Sequence, residues 1–254
     1  MQPEIDLLGL SLKTFGICFA LAFLASGALL SRRFRELRWP TDQATEALLA
    51  ALVGGLVGAR LYWVIDAYDP DTDGSVLSSL FGGSGLTWYG GAIGGALAVL
   101  AWAAWRGRMN AQLLGATAPA LALGYAIGRV GCQVSGDGDY GKPSDLPWAM
   151  AYPDGVVPTR EEVQPTPIYE TLAMGIAALV LWQLRDRLRP GALFALYLVL
   201  AGLERLVVEF WRHNPDTALG LTTAQLTSVA MILGGGVALA LMRGGRVPPP
   251  AAVG

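Results

Sequence analysis

GRVGCQVSGDGDYG, residues 128–141, contains a literal G-x-G-x-x-G at Gly136, Gly138 and Gly141. As a dinucleotide-binding turn this string would follow a strand and open a helix. Here it follows an apolar run and precedes KPSDLP (142–147), whose two prolines bar a long helix. Asp137 and Asp139 also stand where a phosphate needs bare amides. A calcium loop fits no better. Counted from Asp137, its sixth and twelfth positions are Lys142 and Trp148, where such a loop needs Gly and Glu. What remains is Arg129 at the end of an apolar segment that runs into a flexible acidic loop.

The surrounding composition explains the apolar segment. Of 254 residues, 53% are hydrophobic and 15% charged, with a mean hydropathy of +0.45. Soluble domains carry about 25% charged residues, so the deficit implies a membrane solvent. A net charge of −2 leaves no basic footprint for nucleic acid. One histidine, His213, excludes a multi-histidine metal site, and Cys18 and Cys132 make neither a disulfide framework nor a metal cluster.

A bilayer-crossing helix needs about 20 mostly apolar residues. Seven stretches qualify, at roughly 8–30, 44–66, 86–105, 112–130, 167–185, 191–211 and 221–242. The first reads as a span rather than a cleaved leader, because MQPEIDL is acidic and the apolar run is long. The predicted fold is all-α: a polytopic membrane domain over 1–242 with seven transmembrane helices. Residues 131–166 form a small periplasmic cap within it, and the Pro-rich 243–254 forms a disordered cytoplasmic tail. Orientation follows from the loops. Arg32, Arg33, Arg35 and Arg38, then Arg106 and Arg108, then Arg185, Arg187 and Arg189, then Arg243 and Arg246 fall on one side. Asp66, Asp69, Asp71 and Asp73 and the stretch 131–166 fall on the other. The positive-inside rule then places the N-terminus outside and the C-terminus in the cytoplasm. Spans two to four are dense in glycine (Gly54, Gly55, Gly58; Gly90, Gly91, Gly94, Gly95; Gly124, Gly128, Gly131), which lets helices approach closely.

Charges inside spans are costly and mark function. Arg60 and Arg205 each lie about 9 Å inside the outer end of their spans, at about 1.5 Å per residue. Arg129 ends span four, and Glu170 opens span five. Arg205, Glu209 and Arg212 share one helix face through their i, i+4, i+7 spacing. Glu204 is turned about 100° away. Pairing within the protein is one reading of these arginines. The other is a cationic pocket beneath the outer leaflet, where the forked guanidinium suits a phospholipid phosphate.

These residues resemble the prolipoprotein diacylglyceryl transferase family. Its signature reads G-R-x-G-N-x-x-N-x-E-x-x-G. Gly128, Arg129 and Gly131 match it, and Asp137 stands in place of Glu. Cys132 and Ser135 replace asparagines, and Gly141 matches the last Gly with one residue inserted. LSLKTFG (10–16) resembles the family's first-span entry with Phe15 for Tyr; GARLYWV (58–64) resembles its second-span G-x-R. LTWYGGAIGG (86–95) resembles the F-H-G-G segment with Tyr89 for His. PTPIYE (165–170) resembles H-P-S-Q-L-Y-E, and ERLVVEFWR (204–212) resembles R-x-x-x-E-x-x-R.

The resemblance implies a bacterial inner-membrane enzyme that moves the diacylglyceryl group of phosphatidylglycerol to the lipobox cysteine of a prolipoprotein. Glycerol 1-phosphate is released, and no metal or soluble cofactor is used. The catalytic residues it implies are Arg129, Arg205, Tyr89 and Asp137. Arg60, Phe15, Cys132, Ser135, Gly141, Glu170, Glu209 and Arg212 would bind substrate. A phenol, with a reference pKa of about 10 against about 6.5 for imidazole, is a poor base at neutral pH. Three readings of Tyr89 stay open. It acts as a phenolate-like base; it only hydrogen-bonds lipid while Asp137 or the leaving phosphate takes the proton; or the chain is divergent, with another acceptor or no transfer. The alternative function is a non-enzymatic lipid- or anion-binding or transport protein. Tyr89 beside Trp88 also reads as an interfacial anchor, and Cys132 as a small packing residue.

Overall fold

The structure, a computed structural model, describes residues 1–7, 9–66, 87–212 and 220–242. The loop carrying Asp69, Asp71 and Asp73, His213, and the tail 243–254 lie outside the described residues. Seven long helices occur among those described. They are α1 (Thr14–Glu36), α2 (Asp42–Asp66), α3 (Trp88–Trp105), α4 (Ala111–Ser135), α5 (Thr166–Leu184), α6 (Pro190–Glu209) and α7 (Thr223–Met242). Six are long and apolar enough to cross a membrane; α3, with 18 residues, is the shortest of the seven. Leu24, Val53, Leu97, Leu179 and Leu233 are each at least 60% exposed. So much bare apolar surface requires an apolar solvent. The chain is a mostly helical, polytopic membrane protein.

The first helix begins later than its hydropathy predicts. Residues 8–13 were expected in the span, but β1 (Glu4–Leu7) and β2 (Leu10–Lys13) form an antiparallel hairpin, with Glu4 opposite Lys13. EIDL and LSLK alternate polar and apolar residues, the period of a strand. Gly9 supplies the turn at φ +85°. The Thr14 hydroxyl and amide both donate to the Pro3 carbonyl, at 2.8 and 2.9 Å, which ties the hairpin to the helix start. The helix then runs on to Glu36, where Arg32 and Arg33 pair with the Glu36 carboxylate.

The chain divides into two compact units, Met1–Leu30 with Ala111–Gly254, and Ser31–Asn110. In the second unit, α2 and α3 cross on glycines. A Cβ built on Gly58 would lie 2.4 Å from the Gly90 carbonyl oxygen, and one on Gly94 would lie 2.3 Å from that of Gly54. Only glycine permits this approach. The Thr87 hydroxyl donates to the Ala59 carbonyl at 3.1 Å and fixes the crossing at one end. At the other end Glu46 accepts from Trp102 at 2.9 Å and pairs with Arg106.

The first unit is held by α4, α5 and α6 around Ala118, Ala122, Ala126, Met174, Leu181 and Leu193. Alanines on facing helices bring the backbones close. The first part of α1 packs on α4, with the Ser26 hydroxyl donating to the Ala120 carbonyl at 2.9 Å. Residues 136–165 are ordered by a second hairpin, β3 (Met150–Tyr152) with β4 (Thr159–Val163). Gly136 and Gly138 adopt φ +61° and +94°, and no long helix opens before α5. The glycine string is therefore a loop, as KPSDLP requires.

The glycine crossing makes a sharp prediction. Gly94→Val should lower the thermal unfolding midpoint in detergent by several degrees, since overpacking costs about 1–3 kcal/mol. Gly234 has nothing within 4 Å of a built Cβ, so Gly234→Ala should leave the midpoint unchanged or slightly higher.

Candidate active site: a buried arginine–carboxylate cluster

The ends of α4 and α6, the start of α5 and the loop after α4 converge on one carboxylate. Glu170 lies in the first turns of α5 and has no exposed surface. Its Oε1 accepts from Arg129 Nη2 at 2.7 Å and from the Tyr125 hydroxyl at 3.2 Å. Arg205 Nη1 and Arg212 Nη1 lie 3.5 and 3.7 Å from the same oxygen. Arg129 Nε lies 2.5 Å from Oε2. Three guanidiniums thus share one buried counter-charge.

Two further carboxylates complete the balance. Glu209 pairs with Arg205 at 2.8 Å, one helical turn apart, and accepts from the Thr222 hydroxyl at 2.6 Å. Asp139 bridges Arg129 and Arg212. Its backbone carbonyl accepts from the Thr166 hydroxyl at 2.6 Å, which anchors the loop to the first residue of α5. Burial, the largest influence on the Asp139 carboxyl, would raise its pKa. The charges and hydrogen bonds of Arg129 and Arg212 outweigh burial and hold it at about 2.

Not every donor is satisfied. Arg129 Nε, Arg205 Nη1 and Arg212 Nη1 are buried with no aligned hydrogen-bond acceptor among the described residues. Each is nonetheless charge-paired with Glu170, at 2.5, 3.5 and 3.7 Å, in poor hydrogen-bond alignment, and the Oε2 atoms of Glu170 and Glu209 are left in the same condition. Three guanidiniums this close suit an anion with several oxygens, such as a phosphate. Cys132, Asp137 and Asp139 bring ligand atoms within 4.8 Å of one another, but the two guanidiniums on Asp139 oppose a metal charge.

The structure therefore brings together Arg129, Glu170, Arg205, Glu209 and Arg212. Asp137, rather than reaching the arginines, accepts the Asp139 amide at 3.3 Å and shapes the turn. Asp139 is the loop carboxylate on the cluster, two residues beyond the signature position. No sequence pattern signals this, because the choice between Asp137 and Asp139 is made by the path of the turn at Gly136 and Gly138. Cys132 is buried, with Arg129 Nη1 3.3 Å from its sulfur. Ser135 is buried too, and its hydroxyl donates to the Cys132 carbonyl at 3.3 Å. Gly141 donates its amide to the Gln164 carbonyl at 2.8 Å and bridges to Arg212. A Cβ there would lie 2.5 Å from the Trp211 carbonyl oxygen, so glycine sets the strand contact that carries Arg212. Phe15 is 42% exposed at the start of α1, beside Gly131. Arg60 and Tyr89 belong to the second unit. Arg60 is buried with its guanidinium 5.0 Å from the Trp63 ring centre, and Tyr89 packs edge-on against Trp88. The Gly58–Gly90 approach sets the turn bearing Arg60 beside the first turn of α3.

Residues 4–241 match the family profile described as prolipoprotein diacylglyceryl transferase. The chain belongs to the prolipoprotein diacylglyceryl transferase family. Similar relatives include the phosphatidylglycerol–prolipoprotein diacylglyceryl transferase of Clostridium tetani, 30% identical over 92% of this chain and 94% of that protein. The like-named protein of Leptospira interrogans is 32% identical over 80% of this chain and 72% of its own length. That of Pseudomonas fluorescens is 30% identical over 92% of each chain. In this diacylglyceryl transferase chain the match takes in every element of the cluster, from α4 through α6.

Two predictions follow from the geometry. Glu170→Gln leaves three guanidiniums around a neutral amide. Its expected cost is roughly 3–5 kcal/mol, that of breaking a buried pair, read as a lower unfolding midpoint in detergent. Asp139→Asn should speed proteolysis in residues 136–149, whereas Asp137→Asn should change it little. The Asp139 contribution has a defined sign. Its folded pKa is depressed, so its stabilisation is present above about pH 4, the unfolded value, and is lost as pH falls towards 2.

Proposed function

We propose that this chain transfers the diacylglyceryl group of phosphatidylglycerol to the lipobox cysteine of prolipoproteins and releases glycerol 1-phosphate. The observation that carries the reading is the buried gathering of three guanidiniums, Arg129, Arg205 and Arg212, around Glu170. A phosphodiester carries one negative charge, and the departing glycerol phosphate carries two. Donors fixed in place before reaction stabilise that growing charge most. Arg129 and Arg205 hold the leaving phosphate. Glu209 orients Arg205, and Glu170 and Arg212 set the directions of the guanidiniums. Asp139 neutralises Arg129 and Arg212 while the site is empty, and Asp137 shapes its turn. Arg60, Phe15, Cys132, Ser135 and Gly141 line or brace the lipid's path. Tyr89 hydrogen-bonds lipid. The curated relatives' names favour a transferase over a non-enzymatic anion binder.

The enzyme would cross the bacterial inner membrane seven times, with α3 as the third span. Arginines close α1 and follow α3 and α5. Arg108 and Arg185 lie over Trp39 and Trp182 at 4.3 and 4.0 Å, the kind of aromatic anchoring found at a membrane interface. This side is cytoplasmic in our reading. The cluster and the 131–166 insertion then face the periplasm, with the N-terminus, where prolipoproteins emerge.

Purified protein in phosphatidylglycerol liposomes, given a lipobox peptide, should add a diacylglyceryl mass to the cysteine and release glycerol phosphate. Arg129→Ala and Arg205→Ala should each lower kcat by about 100- to 1000-fold, the usual cost of one charge-stabilising donor. Transfer at parental rates in both variants would refute the assignment of the phosphate site.

A further inference from the structure

The thiol must lose its proton to attack, and the residue in the family's histidine position is a phenol. The cluster offers no free base: Glu170, Glu209 and Asp139 are each held by arginine. Asp137 accepts the Asp139 amide, and of the carboxylates on the helices of the same unit one is not paired with arginine among the described residues. Glu204 precedes Arg205 on α6, and its Oε1 is buried with no hydrogen-bond partner among the described residues. It opens onto a groove of about 400 Å³ between α5 and α6, lined by Tyr169, Ile176, Leu200, Val207 and Trp211. Glu204 is the only carboxylate in that lining. The groove's mouth is marked by Tyr169 and Trp211, which pack edge-on at 5.9 Å, and Trp148 of the inserted loop donates to the Tyr169 hydroxyl at 2.7 Å.

We propose that Glu204 is the general base for the lipobox thiol, and that the thiol reaches it from the α5–α6 groove. This rests on the transferase reading above. Successive residues on a helix diverge by about 100°. Arg205 therefore turns to the cluster, pairing with Glu170 and Glu209, while Glu204 lines the groove. The Glu204 carboxylate takes the S–H proton. The sulfur electron pair forms the C–S bond to the terminal glyceryl carbon. The C–O bond to phosphate breaks, and its electron pair leaves on the phosphate oxygen as glycerol phosphate, held by Arg129 and Arg205. The proton on Glu204 then passes to water or to the departing phosphate.

The groups whose charges act on Glu204 are Tyr125 and Arg129 of α4, Glu170 of α5, Tyr197 and Arg205 of α6, and Arg212 beyond it. Tyr169 also faces it across the groove. All are kept in the variants, so a change in pH profile reports on Glu204.

The test is the liposome assay with parent, Glu204→Gln and Glu204→Asp, across pH 5.5–9.5. The parent should rise with pH along one ionisation and level off. Glu204→Gln should fall at least 100-fold at neutral pH, in the range a general base supplies. Its remaining rate should climb with the thiol's own ionisation, near pH 8.5. Glu204→Asp should recover part of the rate. Unchanged phosphatidylglycerol binding by native mass spectrometry would show that Glu204→Gln is folded. A Glu204→Gln protein with the parental rate overturns the proposal, and so does a slow one that keeps the parental pH profile. A parent that transfers nothing overturns the transferase reading instead.

Discussion

Three guanidiniums converge on the carboxylate of Glu170, and the rest of the first unit is arranged around that fact. Like charges brought this close in a low-dielectric setting repel strongly. They can share a site only around a buried counter-charge, and Glu170 supplies it from the first turns of α5. Arg129 comes from the end of α4, and Arg205 and Arg212 come from the end of α6 and the residues after it. The carboxylate is thus also a tie between three helices at one end. Their alanine-rich core holds them together along the spans.

The cluster is close to charge-balanced, with Asp139 and Glu209 completing it, yet it is not closed. Donors on all three arginines are left without aligned acceptors. The balance makes so many buried charges tolerable in a membrane. Asp139 is the most exposed of the three carboxylates, at 34%, and sits on a loop, whereas Glu170 and Glu209 are locked into helices. The inserted segment, which carries Asp139, thereby belongs to the cluster's electrostatics.

Much of the site was legible because its residues break a rule. An arginine or glutamate in an apolar span has no cheap place to be, so Arg129, Arg205, Glu209 and Glu170 announce themselves, and the i, i+4 spacing pairs Arg205 with Glu209 directly. Asp139 was not legible as the cluster's carboxylate. Asp137 holds the signature position, and only the path of the glycine turn shows that its neighbour two residues on reaches the arginines. Arg60 was singled out by its depth and by the G-x-R resemblance, and its guanidinium lies 5.0 Å from the Trp63 ring centre. Residues 8–13 looked like the start of a span because leucines dominate them, and hydropathy is blind to their alternation.

By itself the sequence determined the solvent, the number of long helices and their approximate bounds, since a backbone in hydrocarbon must bond to itself and helices achieve this locally. It also marked spans two and three as helices that meet on glycine and, through the signature residues, the family; it did not single out Gly115, Gly202 or Gly235, which are close contacts too. Tertiary structure decided which charges meet. Partners drawn from α4, the inserted loop, α5 and α6 are tens of residues apart, and no local pattern encodes their distances. It also decided that Glu204, one residue from an arginine in the cluster, lines an apolar groove and keeps one oxygen buried without a hydrogen-bond partner among the described residues. Helix geometry sets the angle between those two side chains, but only the packing of α5 against α6 determines what lies at the end of each.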